Sequence, residues 1–405
     1  MAAAEAQAGR TLAALWRAIF LVSFPFGIVG FVLPIYGREL GASALEVGAL
    51  FSAFAIVPIF VRPFLGRALD RWGRRPFLLI GLAGYLAASL AFAFADSVWM
   101  LTVARFIQGL GSAFLWLTAY AMVADLAGAA ERGLSFGLID EATNRGAIIG
   151  TTIGFTLIFT LQRGGEPDWQ RLWWILFVMF SLTTSIALAI AWRGAHETRP
   201  PRPADRPKAQ ALSPRLLSLM GIVLITGASS AMVWPLLVVF LQDSLQAGVV
   251  EIALAYLPAA LLSSFLPSRL GTISDRFGRK RPMILGLLVG AVASALLPVL
   301  RSLAALALVW AVESAGYAAS VPAERAFVAD IAGEDVRGTS YGLYTFALFL
   351  GAALGPLVGG WLYDRVSPAT PFYLNSAALL LGALLVAVAL REPSRAGQSL
   401  AADGA

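Results

Sequence analysis

The amino-acid sequence predicts an all-α polytopic membrane protein, with twelve transmembrane helices in two pseudo-symmetric six-helix halves. Three observations carry that expectation. The 405 residues are 59% hydrophobic and 13% charged, with a mean hydropathy of +0.77; a soluble domain carries roughly 25% charged residues, and half that charge leaves too little polar surface to coat a water-soluble body. Apolar stretches long enough to cross a bilayer recur along the whole chain. The chain also repeats itself: GRALDRWGRRP at 66–76 returns as GTISDRFGRKR at 271–281, and VADLAGAAERGLSFGL at 123–138 returns as VADIAGEDVRGTSYGL at 328–343. Asp70 and Asp275 stand 205 residues apart, and the second match has the same offset. Two separate matches at one spacing mark a duplicated unit of about 200 residues.

A span needs about 20 apolar residues at 1.5 Å rise each. Twelve stretches qualify: 14–36, 46–66, 77–95, 98–124, 134–161 and 172–192 in the first half, then 215–241, 249–270, 283–300, 302–328, 339–363 and 370–390. They are numbered spans 1 to 12 below. The division that follows is 1–192 for the first half, 193–214 for a linker, 215–391 for the second half and 392–405 for a tail. The linker, RGAHETRPPRPADRPKAQALSP, is too rich in proline and charge to pack a core and reads as an extended tether.

Of the 30 Lys and Arg residues, 22 fall in segments that share a side with the N-terminus, 5 fall on the other side, and Arg62, Arg105 and Arg145 lie within spans. That asymmetry places both termini in the cytoplasm, as expected for an integral, multi-pass protein of a plasma (inner) membrane. It also explains a sequence pI near 9.9 without nucleic acid, since basic loops face an anionic leaflet. No cleavable signal peptide is expected, because the first apolar run is too long and lacks a small-residue cleavage site. The chain has no cysteine, which excludes disulfides and thiolate metal sites, and its single histidine, His196, lies in the polar linker. Proton handling inside the membrane would therefore fall to carboxylates. No cofactor and no metal site is expected.

The repeated loop between spans 2 and 3, G-x-x-x-D-R-x-G-R-[RK], resembles the signature loop of the major facilitator superfamily, and the resemblance extends over nearly the whole chain. It implies a conformational latch. Gly66, Asp70, Arg71, Gly73 and Arg74 form it in the first half, and Gly271, Asp275, Arg276, Gly278 and Arg279 in the second. In the family the loop aspartate faces the start of a helix in the other half, where unpaired N–H groups carry partial positive charge. For Asp70 that is the start of span 11 near Gly338; for Asp275 it is the start of span 5 near Gly133. The loop arginine pairs with an acid ending the fourth helix of its half, which matches Arg74 with Asp125 and Arg279 with Asp330.

Ionisable residues inside spans are functional candidates, because placing one at mid-bilayer costs roughly 2.5–3.5 kcal/mol on insertion scales. Arg105, Gln108, Gly109 and Gly111 resemble the family's R-x-x-Q-G-x-G motif in span 4, whose arginine the resemblance implicates in proton transfer. Span 5 holds Asp140, Glu141, Asn144 and Arg145; Glu141 and Arg145 are spaced i, i+4 with the acid first, the better order for a helical pair. The repeat places Thr345, Phe346 and Leu350 at the positions of the three charges, so symmetry is broken there. Glu313 in span 10 has Val309, Trp310, Gly316 and Tyr317 at i±3 and i±4, hence no basic partner in its own helix. Desolvation favours the protonated form of such an acid. Aromatic residues in the helices expected to line a cavity are Phe24, Phe26, Trp116, Tyr120, Trp234, Tyr317 and Tyr344.

These features read together as a secondary transporter working by alternating access around a central cavity. The span 4 motif resembles that of the drug:proton antiporter branch, implying proton-coupled efflux of amphipathic or lipophilic compounds. Glu313, Asp140, Glu141 and Arg105 are then the proton-coupling candidates. Arg145, Asn144, Gln108 and the aromatic residues are the substrate-binding ones. One departure is that the Gly-Pro pair associated with export in span 5 is Gly150-Thr151 here, while Gly355-Pro356 stands in span 11. The alternatives are an importer of a small polar or anionic solute, with Arg105 or Arg145 as counter-ion, and a lipid or glycolipid flippase. An enzyme is not expected, since no nucleophile–base constellation, metal cluster or phosphate-binding loop is present. The expected partners are a small-molecule substrate, protons and the lipid bilayer, and the carrier is expected to function as a monomer.

Overall fold

The computed structural model describes residues 2–126, 132–161, 168–199, 214–262 and 278–390, except for the side chains of 329–341 and a few others. Every regular element among them is helical. Ten segments have the length and apolar character to cross a membrane, and a shorter apolar helix, Val249–Leu262, lies where span 8 begins. The helix Arg132–Leu161 stands at span 5, where Asp140, Glu141, Asn144 and Arg145 interrupt its apolar character.

Span 1 is two helices, Ala2–Val22 and Phe24–Glu39. Pro25 has no N–H to donate to the preceding turn, and Ser23 Oγ donates instead to the Ile19 carbonyl at 2.7 Å. The break turns the chain next to Phe24 and Phe26. Span 2 is Ala44–Trp72, opened by a capping box in which Ser43 and Glu46 satisfy each other's backbone N–H groups. Arg75–Ala93, Val98–Leu126 and Trp169–Gly194 are spans 3, 4 and 6.

In the second half, Pro214–Leu245, Lys280–Leu296 and Thr370–Ala389 are spans 7, 9 and 12. Spans 10 and 11 differ from the sequence expectation. A break was expected between them, yet one helix runs from Leu303 to Arg365. Only Pro322 and Pro356 occur in it, so no proline interrupts helical bonding across the charged stretch 329–341. Its 63 residues would extend about 95 Å at 1.5 Å each. That is three times a hydrocarbon core of about 30 Å, so its apolar windows, Leu303–Arg325 and Gly342–Arg365, count as two crossings.

The chain forms two compact units. One comprises Met1–Arg206 with Trp234–Asp243 and Ala352–Asp364; the other comprises Pro207–Val233, Ser244–Gly351 and Arg365–Ala405. The first packs around Leu15, Leu82, Leu115 and Met122, the second around Leu219, Val223, Phe327 and Val386. Lipid tails give helices no hydrophobic reason to associate, so close backbone approach matters more than bulk. On span 5 a side chain at Gly150 would put its Cβ 2.1 Å from the Phe24 carbonyl oxygen, and Gly146 meets Phe20 in the same way. The glycine face of span 5 therefore docks on span 1.

Candidate functional site

The first copy of the duplicated loop is held by a network of hydrogen bonds. Span 2 ends at Gly73, whose φ of +93° is a conformation that suits glycine, and Gly278 at the repeat position has φ +87°. Arg74 is buried. Its Nε donates to Asp125 Oδ2 at 3.0 Å, and one terminal nitrogen donates to the Leu69 carbonyl at 2.7 Å and Asp70 Oδ1 at 3.2 Å. The pairing expected between Arg74 and Asp125 is thus present, and the exposed Asp70 is tied to the same guanidinium. Arg71 lies 5.6 Å over the Trp72 ring, and Gly66 has open space around it. Of the second loop, Gly278 and Arg279 are described. Gly271, Asp275, Arg276 and the Asp330 side chain lie outside the described residues.

The linker does not leave this loop as a free tether. Glu197 accepts from the backbone N–H groups of Arg74 at 2.7 Å and Arg75 at 3.1 Å, so its carboxylate caps the start of span 3. Thr198 Oγ1 donates to Asp125 at 3.1 Å, and Arg75 returns bonds to the carbonyls of Trp192 and Ala195. Desolvation pushes the Glu197 carboxyl up, but the N–H donors of Arg74, Arg75, Arg199 and Thr198 outweigh it and hold it below the ordinary carboxylate range. A group lowered on folding stabilises above its unfolded value, and that contribution disappears as pH falls through the lowered one. Glu197→Gln is therefore expected to lower the melting temperature at neutral pH, with the difference from wild type shrinking in acid. A difference that stays constant with pH would remove the carboxylate from the account. The linker's first residues escaped sequence reading because proline and charge dominate the segment.

Deeper in the first unit, Arg105 is buried. Its Nε donates to the Leu50 carbonyl of span 2 at 2.9 Å and a terminal nitrogen donates to Gln108 Oε1 at 2.6 Å. The guanidinium also lies over the rings of Phe51 and Phe54, at 5.2 and 4.6 Å. Gln108, expected among substrate contacts, is buried and committed to Arg105.

The same unit holds an aromatic wall. Phe26 stands 5.7 Å from Tyr85 and 5.9 Å from Trp116, and Trp116 stands 6.4 Å from Tyr120. Trp116 Nε1 donates to the Tyr85 hydroxyl at 3.2 Å, and the Tyr120 hydroxyl donates to Asp140 Oδ1 at 2.5 Å. The structure thus brings together Phe26, Trp116, Tyr120 and Asp140 from the sequence-predicted set. It adds Tyr85, which apolar neighbours on both sides had hidden. Asp140 and Asn144 are exposed on span 5, next to the Glu141–Arg145 ion pair.

That pair forms as its spacing demands, but it is not buried: the Arg145 side chain is 62% exposed and that of Glu141 37%. A double-mutant cycle on thermal unfolding is expected to give a coupling of about 0.3–0.5 kcal/mol, and a value several times larger would contradict the exposed geometry.

The remaining candidates are dispersed. Phe24 is buried against Phe20 and Gly150. Trp234 is partly exposed and meets Phe31 edge to face at 6.1 Å. In the second unit Glu313 is half-buried, and Tyr317, one turn on, is exposed. Tyr344 is buried, with its hydroxyl donating to Glu324 Oε1 at 2.7 Å. Both residues belong to the second unit. Glu324 had no sequence signal of its own, because it precedes Arg325 at the end of a span and reads as half of a loop-side charge pair.

Ten helices among the described residues long and apolar enough to cross a membrane, a duplicated loop with a bonded turn and a buried arginine within a span mark a polytopic membrane carrier. The Major Facilitator Superfamily matches residues 15–220 and again 219–404, and the chain belongs to it. Multidrug resistance protein 1 of Bacillus subtilis (strain 168) is 26% identical over 388 residues, covering 95% of this chain and 97% of that protein. Quinolone resistance protein NorA of Staphylococcus aureus (strain MSSA476) is 25% identical over 386 residues, covering 92% and 95%. The solved structure of the nucleoside transporter NupG superposes with a TM-score of 0.75 at 14% identity, over 94% of this chain and 100% of that one. The protein is an integral, multi-pass membrane transporter and not an enzyme.

Proposed function

We propose that this transporter exports amphipathic or lipophilic small molecules in exchange for protons, working as a monomer by alternating access in a plasma (inner) membrane with both termini in the cytoplasm. The observation that carries the reading is the aromatic wall ending on a carboxylate: Phe26, Tyr85, Trp116 and Tyr120, with Asp140 bonded to the last hydroxyl. Ring faces attract organic cations and apolar bodies alike. A carboxylate beside them adds charge pairing while ionised and loses it on protonation, so proton and cation compete for one place. Asp140, Glu141 and Glu313 are the carboxylates available to couple the two, and Arg105 is a buried positive charge in the same unit as the first pair. Relatives named for multidrug and quinolone resistance support the same direction of transport.

The test is flux in proteoliposomes loaded with a lipophilic cationic dye such as ethidium. An opposing proton gradient is expected to drive dye against its own gradient, and Asp140→Asn to weaken dye binding. Dye movement that ignores the proton gradient would overturn the proposal. A second reading rests on the exposed Arg145 side chain, which suits a small anionic solute. Competition by organic anions but not by cations would favour it.

A further inference from the structure

Far from the duplicated loop, at the opposite ends of spans 1, 2, 7 and 11, the first unit holds a second set of charges. Asp364, at the C-terminal end of the helix Leu303–Arg365, accepts from the backbone N–H of Ala44 at 3.2 Å and of Leu45 at 2.8 Å. Those are the first two N–H groups of span 2, and helix geometry gives them no partner within the helix. The next one, that of Glu46, is taken by Ser43 Oγ at 3.2 Å. Beside this cap, an Arg38 terminal nitrogen pairs with Asp243 Oδ1 at 2.7 Å while the Tyr363 hydroxyl donates to Asp243 Oδ2 at 3.0 Å. Arg38 also donates to the Ala42 carbonyl at 3.0 Å, which fixes the turn into span 2. The backbones themselves touch: a Cβ at Gly48 would lie 2.1 Å from the Pro356 carbonyl oxygen, and one at Gly360 would lie 2.5 Å from that of Ala44.

We propose that Asp364, with the Arg38–Asp243–Tyr363 cluster, is a second latch that holds this end of the carrier shut. Span 2 thus carries an acid-centred contact at each end: Asp70 is tied to Arg74 at the loop end, and Asp364 caps the N–H groups at the other. Spans 10 and 11 run as one helix, so there is no free helix start near Gly338 for Asp70 to face; Asp364, by contrast, neutralises the partial positive charge at the start of span 2, on the opposite side of the membrane. A carrier that opens one side at a time holds only one end closed at once, so the two latches compete. The loop aspartate stabilises one access state and Asp364 the other.

The absence of native cysteine allows specific labelling of the full chain. Spin labels at Glu39→Cys and Trp361→Cys, in nanodiscs without substrate, read the separation of this end directly. Asp364→Ala is expected to raise the ratio of long to short distances about fivefold. Arg38→Asp is expected to act the same way, and the exchange Arg38→Asp with Asp243→Arg to restore the short distance. Asp70→Asn is expected to shift the same distribution in the opposite sense. Asp364→Asn keeps size and removes charge, so it gives the reading even if the alanine variant folds poorly. An unchanged distribution in Asp364→Asn, or a charge exchange that restores nothing, would overturn the latch. The readout needs neither substrate nor proton gradient, so its failure is separable from failure of the transport reading.

Discussion

Glu313→Gln is expected to reduce uphill transport driven by a pH gradient to background, while leaving dye binding intact. Glutamine has nearly the shape of the protonated acid and cannot titrate. Among the described residues no hydrogen bond or ion pair reaches Glu313, so the substitution strands no partner and its effect reads the proton rather than the fold. An acid on a membrane helix without a local counter-charge is costly to keep. Taking up a proton removes that cost when the surroundings are dry, and entry of water removes it again. The same assay on Asp140→Asn and Glu141→Gln decides the assignment among the three. Full pH-driven transport by the Glu313→Gln protein would move the coupling to span 5, where the Tyr120 bond gives Asp140 the better-defined geometry.

Arg105→Lys, which keeps the charge, is expected to cost about 1–3 kcal/mol of stability and to impair transport. A lysine ammonium cannot both reach the Leu50 carbonyl and Gln108 in one plane and stack over Phe51 and Phe54. The loss should appear in thermal unfolding of the purified protein as well as in flux. A second substitution, Arg105→Gln, separates the two roles: it removes charge while keeping a planar donor. Wild-type stability in Arg105→Lys would show that charge alone matters there, as a proton-transfer role for the arginine requires.

The fold was legible because membrane insertion leaves so few choices. Twenty apolar residues must become a helix, and an offset of 205 residues repeated in two motifs can only be a duplication. The loop was legible for the same reason at a smaller scale, since Gly73 and Gly278 are needed for a turn that other residues resist. Arg74 could be matched to Asp125 because both are local in sequence to fixed helix ends. What stayed hidden are contacts between elements with no common motif. Glu197 lies in a segment whose composition announces only an extended tether, and Asp364 looks like any charge at a helix terminus. Tyr344 shows the limit from the other side: it was expected to line a cavity, and nothing in the sequence announced that its hydroxyl is bonded to an acid twenty residues earlier. Periodicity places a side chain on a face but does not say which neighbour occupies that face.

Arg38 and Asp243 are 205 residues apart, which is the repeat offset itself, so they are the same position in the two copies. Two identical halves assembled as a symmetric pair would set arginine against arginine there, or aspartate against aspartate, and repel. Opposite charges at that position require two copies that have diverged in sequence. The bond between them therefore belongs to what distinguishes the halves rather than to what they share.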